Sequence, residues 1–167
     1  MTLASLAAAC TAQTTVDTPL GVLLLARTDS GLAGAWFENQ KDHPVDIAAP
    51  RSDDDALLRE AATQFSAYFA GRRRDFDLPL DLRGTDFQRK VWQALLRIAI
   101  GRTSSYGDIA RELGAPKAVR AVGGAVGRNP ISVIVPCHRV LGSDGSLTGY
   151  AGGLERKRAL LQLEGVL

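Results

Sequence analysis

An α/β chain of two small domains is the fold the sequence predicts, and three observations carry that reading. Two short apolar runs, residues 22–26 and 32–37, flank the turn sequence Asp29-Ser30-Gly31, as paired strands do. Leu58, Ala62, Phe65 and Phe69 then recur at helical spacing until Gly71. From Gly84 onward helical patterns dominate and the charge reverses, residues 1–83 holding 8 Lys+Arg against 12 Asp+Glu and residues 84–167 holding 12 against 6. We therefore expect an N-terminal α/β domain over 1–83 and a basic, mainly helical domain over 84–167.

In the first half, Asp53-Asp54-Asp55 supply capping carboxylates to the helix that begins near Leu58. Arg72-Arg73-Arg74 follow that helix and precede Asp75 and Asp77, which reads as a solvated surface more than a nucleic-acid contact. His43 lies in a polar, Pro-containing stretch with no partner residues for a metal, so it is read as a loop residue.

In the second half, Thr85 and Gln88 have capping-box spacing and Phe87, Val91, Leu95 and Ile98 form one stripe, so a helix is expected over 86–98. Ser105 can cap a second helix over 106–113, ended by Gly114, and Pro116 suits the first turn of a third that runs through Gly127. In a basic domain this is the pattern of a helix-turn-helix, whose second helix lies in a DNA groove; two helices packed as a plain hairpin are the alternative. Gly123-Gly124 inside the third helix cost about 1 kcal/mol each relative to alanine. Close approach of DNA or of another helix would explain them. Residues 131–135, β-branched except Ser132, read as a buried strand that runs into Pro136-Cys137-His138-Arg139. A turn-rich segment over 142–149 follows, then a helix from Leu154 with Leu161 on its apolar side and Glu164 near its end.

Composition excludes some classes. With 46% hydrophobic and 23% charged residues the chain is expected to fold throughout. No apolar run approaches the roughly 18 residues of a membrane span, so no membrane partner is expected. Residues 1–12 are apolar and end in Ala8-Ala9-Cys10, superficially like an exported lipoprotein, but no basic residue precedes them and a secretory leader is the minor reading. The two cysteines, Cys10 and Cys137, fit neither a Cys-x-x-Cys pair nor a zinc spacing. This favours a reducing, cytoplasmic setting without a metal, and Cys10 reads as an inert, buried residue.

Cys137 is different because of its neighbours. A cysteine attacks as the thiolate, so a reference pKa near 8.5 has to be lowered by a cation, a helix N-terminus or a base. His138 is adjacent in sequence, yet successive side chains diverge, and a bridging water is the natural link. An acidic residue from elsewhere would orient the imidazole, and Glu164 is a candidate on chemistry.

The string Pro136-Cys137-His138-Arg139-Val140 sits between Asn129-Pro130 and Gly149-Tyr150 with Gly152-Gly153-Leu154. It resembles the active-site signature of the O6-alkylguanine-DNA alkyltransferases, or methylated-DNA-protein-cysteine methyltransferases. Arg120-Ala121-Val122-Gly123-Gly124 matches that family too, as do Asp86-Phe87-Gln88, Val91-Trp92, Tyr106-Gly107 and Leu160-Leu161 with Glu164. The N-terminal half matches loosely, through Thr18-Pro19-Leu20-Gly21 and Tyr68-Phe69.

The resemblance implies a ribonuclease-H-like N-terminal domain and a winged-helix-like C-terminal domain. It also implies direct-reversal repair, in which one alkyl group moves irreversibly from O6-alkylguanine in duplex DNA to Cys137, with O4-alkylthymine a further candidate substrate. No cofactor is implied, and the protein is expected to be a monomer that binds DNA alone or cooperatively. His138 is then the water-linked base and Glu164 the residue holding it. Tyr106 would donate to the departing guanine, and Asn129 would tie the recognition helix to the active-site segment. Arg120 resembles the arginine that fills the gap left by the flipped nucleotide. Ser105, Lys117, Ala121, Gly123 and Arg139 are expected at the DNA, and Val140, Tyr150, Ala151 and Gly152 around the flipped guanine.

Two departures stand out. Ala151 replaces a serine frequent in the family, which a backbone N–H contact would tolerate, and Ala99-Ile100-Gly101 lacks a proline common there. A lesion sensor that does not repair is the first rival reading, and the family's sensors replace the acceptor cysteine that this chain keeps. A Cys-His hydrolase is the second, and it would leave the basic helix-turn-helix unexplained.

Overall fold

In the computed structural model, which describes residues 2–44 and 46–167, the first half of the chain is organised by an antiparallel sheet. Its strands are β1 (Ala12–Thr18), β2 (Gly21–Thr28) and β3 (Gly31–Phe37), in the order β1-β2-β3. β2 and β3 are the two expected strands. β1 was not evident in the sequence because its residues, AQTTVDT, are mostly polar. It is held instead by backbone pairing from Ala12↔Arg27 to Thr18↔Gly21 and by bonds of Gln13 with Pro50 and Ser52 on its other edge.

Helix α1 (Leu3–Ala9) opens with a reciprocal capping box between Thr2 and Ser5. Leu6 and Cys10 pack with Ala26, Ala33, Trp36, Ile47 and Ala49, so the apolar N-terminal stretch is part of a core. Helix α2 (Ala56–Phe69) is capped by Asp55, which accepts from Leu58 N at 3.0 Å and pairs with Arg27. Its buried face is Leu58, Ala61, Phe65 and Tyr68, with Ala62 and Phe69 only half-buried. The expected stripe is thus turned by about one residue. Gln64 joins that face because its amide accepts from Asp77 N and donates to Asp77 O, which satisfies a backbone that has no strand partner.

The chain divides into two compact units, Met1–Arg83 and Gly84–Leu167. The second begins with α3 (Asp86–Leu96), whose Thr85–Gln88 capping box is present in both directions. After β4 (Ser104–Ser105) come α4 (Tyr106–Glu112), capped by Ser105, and α5 (Val119–Gly127), the two helices of the helix-turn-helix. A 3-10 turn (Cys137–Arg139), β5 (Val140–Leu141) and α6 (Leu154–Leu163) complete the unit. β4 and β5 pair in parallel, Ser104 with Val140 and Ser105 with Leu141, which brings the start of α4 beside the end of the Cys137 turn. Trp92 on α3 is buried and its indole N–H donates to Ala125 O at 2.8 Å, tying α3 to α5.

Two expected elements are corrected. The third helix begins at Val119 and not at Pro116: Ala118 N bonds back to Ala115 O at 2.8 Å. That closes a β-turn with Pro116 at its second position, where a fixed φ is as well suited as at a helix start. Residues 131–135 are buried, as expected, but form consecutive tight turns in place of a strand.

Gly84 lies against Trp92 so closely that a Cβ there would fall 2.5 Å from the ring. Gly84→Ala should therefore destabilise the protein by about 1–3 kcal/mol, the usual cost of overpacking. Denaturant unfolding would check this, and unchanged stability would mean the indole has room to shift.

Candidate active site

The turns at 131–137 exist because a side chain replaces the strand partner. Asn129 follows α5 directly. Its Oδ1 accepts from Ile131 N at 2.9 Å, and its Nδ2 donates to Val135 O at 2.7 Å and to Cys137 Sγ at 3.1 Å. One buried amide thus spans the loop and touches the thiol. Pro130 and Pro136, without N–H groups, remove two donors that a sheet would have used. Within the loop Val133 has φ +73° and Ile134 N bonds to Ser132 O at 2.9 Å, a γ-turn centred on a β-branched residue. Such a conformation costs on the order of 1–3 kcal/mol and persists only where surroundings over-determine it.

Cys137 is 5% exposed. Burial pushes its thiol up to about 11, against the lowering influence of the Asn129 hydrogen bond and of the Lys157 charge. A standing thiolate would need a lowered pKa, and the structure has the reverse: desolvation of the thiolate outweighs the polar neighbours. The resting group is a protonated thiol.

His138 is fully buried, and its Nε2 lies 2.7 Å from Glu164 Oε1. Burial lowers the imidazole pKa, Glu164 raises it, and Arg139 and Lys157 lower it again, with a net lowering. Burial would raise the Glu164 carboxyl, but hydrogen bonds and charge from His138 and Arg139 bring it to about 2. The pair is therefore a neutral imidazole donating Nε2–H to a carboxylate. This leaves the Nδ1 lone pair as the basic site, and Nδ1 has no protein partner among the described residues.

Arg139 was expected at DNA and is found elsewhere. It is 9% exposed, donates from Nε and Nη2 to the two Glu164 oxygens at 2.9 and 2.8 Å, and from Nη1 to Ile98 O at 2.6 Å. A carboxylate that deep needs a bidentate cation, and Arg139 supplies it. Its guanidinium is turned inward, with its donors spent on Glu164 and Ile98 O.

Tyr106, half-buried at the start of α4, donates its phenol to Thr148 O at 3.1 Å. Burial raises its pKa, the Thr148 contact lowers it, and Cys137 raises it again once ionised, so the phenol keeps its proton. Gly123 faces this ring, but a Cβ there would stand 3.8 Å away, an ordinary contact. The protein's own packing does not demand the glycine. Arg120, Ala121 and Lys117 are exposed, and Arg120 and Lys117 form no ion pair among the described residues. The Ser105 hydroxyl accepts from Asp108 N at 3.1 Å as the α4 cap. Val140 and Gly152 are buried, and Tyr150 and Ala151 half-buried, in the segment after Cys137.

Lys157 escaped the sequence reading. It is fully buried and gives all three ammonium hydrogens to carbonyls, those of Val140, Thr148 and Gly149. A signal was present: Lys157, Leu160, Leu161 and Glu164 fall at i, i+3, i+4 and i+7, which puts both charged residues on the buried stripe of α6. No group of three or more His, Cys, Asp or Glu among the described residues could hold a metal ion.

These features define a helix-turn-helix protein built around a buried cysteine, with an imidazole–carboxylate pair beside it. Comparison with known proteins sharpens that class. The family models described as 6-O-methylguanine DNA methyltransferase match this chain, the ribonuclease-like domain over residues 12–82 and the DNA binding domain over 86–166. The methylated-DNA–protein-cysteine methyltransferase of Mycobacterium tuberculosis is 53% identical over 150 residues, 90% of each chain. The constitutive enzyme of that name from Bacillus subtilis is 46% identical, over 90% of this chain and 93% of its own. A crystal structure of M. tuberculosis OGT in complex with DNA is similar at a TM-score of 0.83 and 51% identity, covering 92% of both chains. The chain belongs to the 6-O-methylguanine DNA methyltransferase family.

Because the folded-state pKa of Glu164 lies below its ordinary 4.5, its stabilisation is fully present above that pH and is lost as pH falls toward about 2. At pH 7, Glu164→Gln should cost about 3 kcal/mol by leaving Arg139 without its counter-charge. The gap to wild type should close progressively in urea unfolding between pH 4.5 and 2. A pH-independent gap would show that the carboxylate charge contributes nothing.

Proposed function

We propose that this protein repairs O6-alkylguanine in duplex DNA by taking the alkyl group onto Cys137, once per molecule. The observation that carries the reading is the contact set around the thiol: Asn129 on Sγ, and a neutral His138 fixed by the ionised Glu164 in the next residue along. Family membership supplies the substrate class, since the relatives are named for it.

The chemistry follows from the protonation states. The thiol proton leaves through a water to His138 Nδ1 as sulfur attacks, and the resulting imidazolium is stabilised by Glu164. The new S–C bond forms while the C–O6 bond breaks, and its electron pair stays on the guanine. Tyr106 delivers its phenol proton to a ring nitrogen of that leaving base, and the phenolate is refilled from the proton taken off the thiol or from solvent. The net change is one proton moved from sulfur to guanine and one thioether made. No second nucleophile is assigned to release it, which makes the reaction a single turnover.

Reaching the base requires extrusion from the stack, which costs a few kcal/mol. Arg120 on the exposed face of α5 is assigned to the vacated space. Lys117, Ala121, Gly123 and the Ser105 end of α4 face the DNA backbone. The backbones of Val140, Ala151 and Gly152, with the Tyr150 ring, receive the flipped guanine. Asn129 couples recognition to reaction, because it lies one residue past the C-cap of the helix that meets DNA and also holds the thiol. A cytoplasmic location fits two free, buried cysteines, which a reducing compartment preserves.

Mass spectrometry after incubation with O6-methylguanine duplex should find one methyl group, on Cys137 alone. Cys137→Ser should abolish transfer and keep DNA affinity close to wild type, since phosphate contacts lie elsewhere. A serine variant that still demethylates would end the reading.

Arg120 has its own test. If it fills the stack, Arg120→Ala should slow single-turnover transfer chiefly on fully paired substrate, and much less on mismatched or single-stranded O6-methylguanine, where extrusion is cheap. Equal losses on all three, with a salt slope lower by about one, would make it a phosphate contact instead.

A further inference from the structure

Lys157 is a fully buried charge that the transfer scheme leaves without a task. Its Nζ lies 2.5 Å from Val140 O, 2.9 Å from Thr148 O and 3.2 Å from Gly149 O. These acceptors come from β5, directly after the Cys137 turn, and from the end of the loop that leads into Tyr150 and Ala151. Thr148 O is at the same time the acceptor of the Tyr106 phenol at 3.1 Å. A carbonyl oxygen has two lone pairs, so Lys157 and Tyr106 meet on a single atom. Gly149 has φ +57°, a backbone conformation that favours glycine, while a Cβ there would make only an ordinary contact with the phenol oxygen, at 3.5 Å.

We propose that Lys157 is a positioning residue for protonation of the departing base: by holding the Thr148 carbonyl, it sets where the Tyr106 phenol sits and how readily its proton is released to guanine. The proposal rests on the reading of Tyr106 as proton donor. An oxygen already engaged by an ammonium has less electron density to offer a second donor, so the Tyr106–Thr148 bond is one the phenol can exchange for a guanine nitrogen. Without the ammonium, Thr148 O would keep the phenol, or the loop that carries it would move. In the transfer itself the phenol O–H bond breaks as the guanine N–H bond forms. Lys157 neither gives nor takes a proton. Desolvation brings its pKa to about 8, so the clamp is charged at neutral pH.

A buried lysine that only stabilises the fold would lower the melting temperature and slow every substrate alike. The two roles separate in a double-mutant cycle of Lys157→Met and Tyr106→Phe, read by single-turnover transfer from O6-methylguanine duplex, well below the lowest melting temperature of the set. Each single change should slow transfer by about a hundredfold, the range of one general acid. The double variant should be within about threefold of the slower single, because both changes remove the same step. Both losses should shrink together on an O6-methylguanine analogue whose base is a better leaving group. Lys157→Arg, which keeps the charge but cannot place one ammonium among three carbonyls, should give a smaller loss with the same coupling, and it carries the cycle if the methionine variant does not fold. Losses that multiply in the double variant, or that ignore the leaving group, would overturn the role of Lys157 while leaving Tyr106 as donor. Full activity of Tyr106→Phe would remove the donor reading, and the Lys157 proposal with it. Full activity of a folded Lys157→Met would overturn the proposal alone.

Discussion

One buried carboxylate organises the reactive half of this protein. Glu164 caps α6 deep in the second unit, where an unpaired charge would be expensive. Its position is tenable because Arg139 meets both oxygens and His138 one of them. Those partners are consecutive residues of the 3-10 turn that starts at Cys137. Fixing the carboxylate therefore fixes the turn, the imidazole tautomer and the direction of the chain through the nucleophile. Arg139 extends the constraint to Ile98 O just past α3, so three parts of the unit share one ion cluster.

The second constraint acts from the opposite side of Cys137. Asn129 bonds to the backbone at 131 and 135 and to the sulfur at 137, and holds a run of turns that includes a valine at φ +73°. Local strain and a desolvated thiol are both unfavourable, and the packing around them has to offset both. What results is a cysteine that is shielded from solvent and rests as the protonated thiol. Low intrinsic reactivity suits a group that is consumed when used, since a freely ionised thiolate would be open to oxidation and stray alkylation.

Local signals were legible in the sequence and tertiary ones were not. The capping boxes, the Asp55 and Ser105 caps and the glycine stop at Gly71 depend on neighbours in the chain, and the two-part α/β and helix-turn-helix architecture follows from them together with the charge asymmetry. The run at 131–135 was misread because β-branching records burial as well as strand, and the partner that decides between them is the side chain of Asn129. The flanking Pro130 and Pro136 were the available warning. Arg139 was misassigned because a basic residue beside a nucleophile looks the same in sequence whether it faces phosphate or a buried acid. The thiol pKa was beyond reach altogether, because desolvation is a property of the packed unit and not of the string Pro-Cys-His-Arg.

The same inward turn of Arg139 refines where DNA binding must arise. Of the twelve basic residues in the second unit, Arg139 and Lys157 are buried, and Arg89, Arg97 and Arg111 are paired with Asp86, Glu112 and Asp108. Two exposed basic residues without an ion pair among the described residues, Lys90 and Arg158, lie on α3 and α6. Arg102 just before β4, Lys117 in the turn, Arg120 on α5 and Arg128 at the α5 C-cap are exposed and carry no ion pair among the described residues. All four lie on or beside the helix-turn-helix, so most of the unit's exposed basic side chains without an ion pair stand on the element that the proposed function places in the groove. Arg139 and Lys157 spend their charge inside the unit, on Glu164 and on backbone carbonyls. Asn129 sits one residue beyond the exposed Arg128 and bonds inward to the Cys137 sulfur.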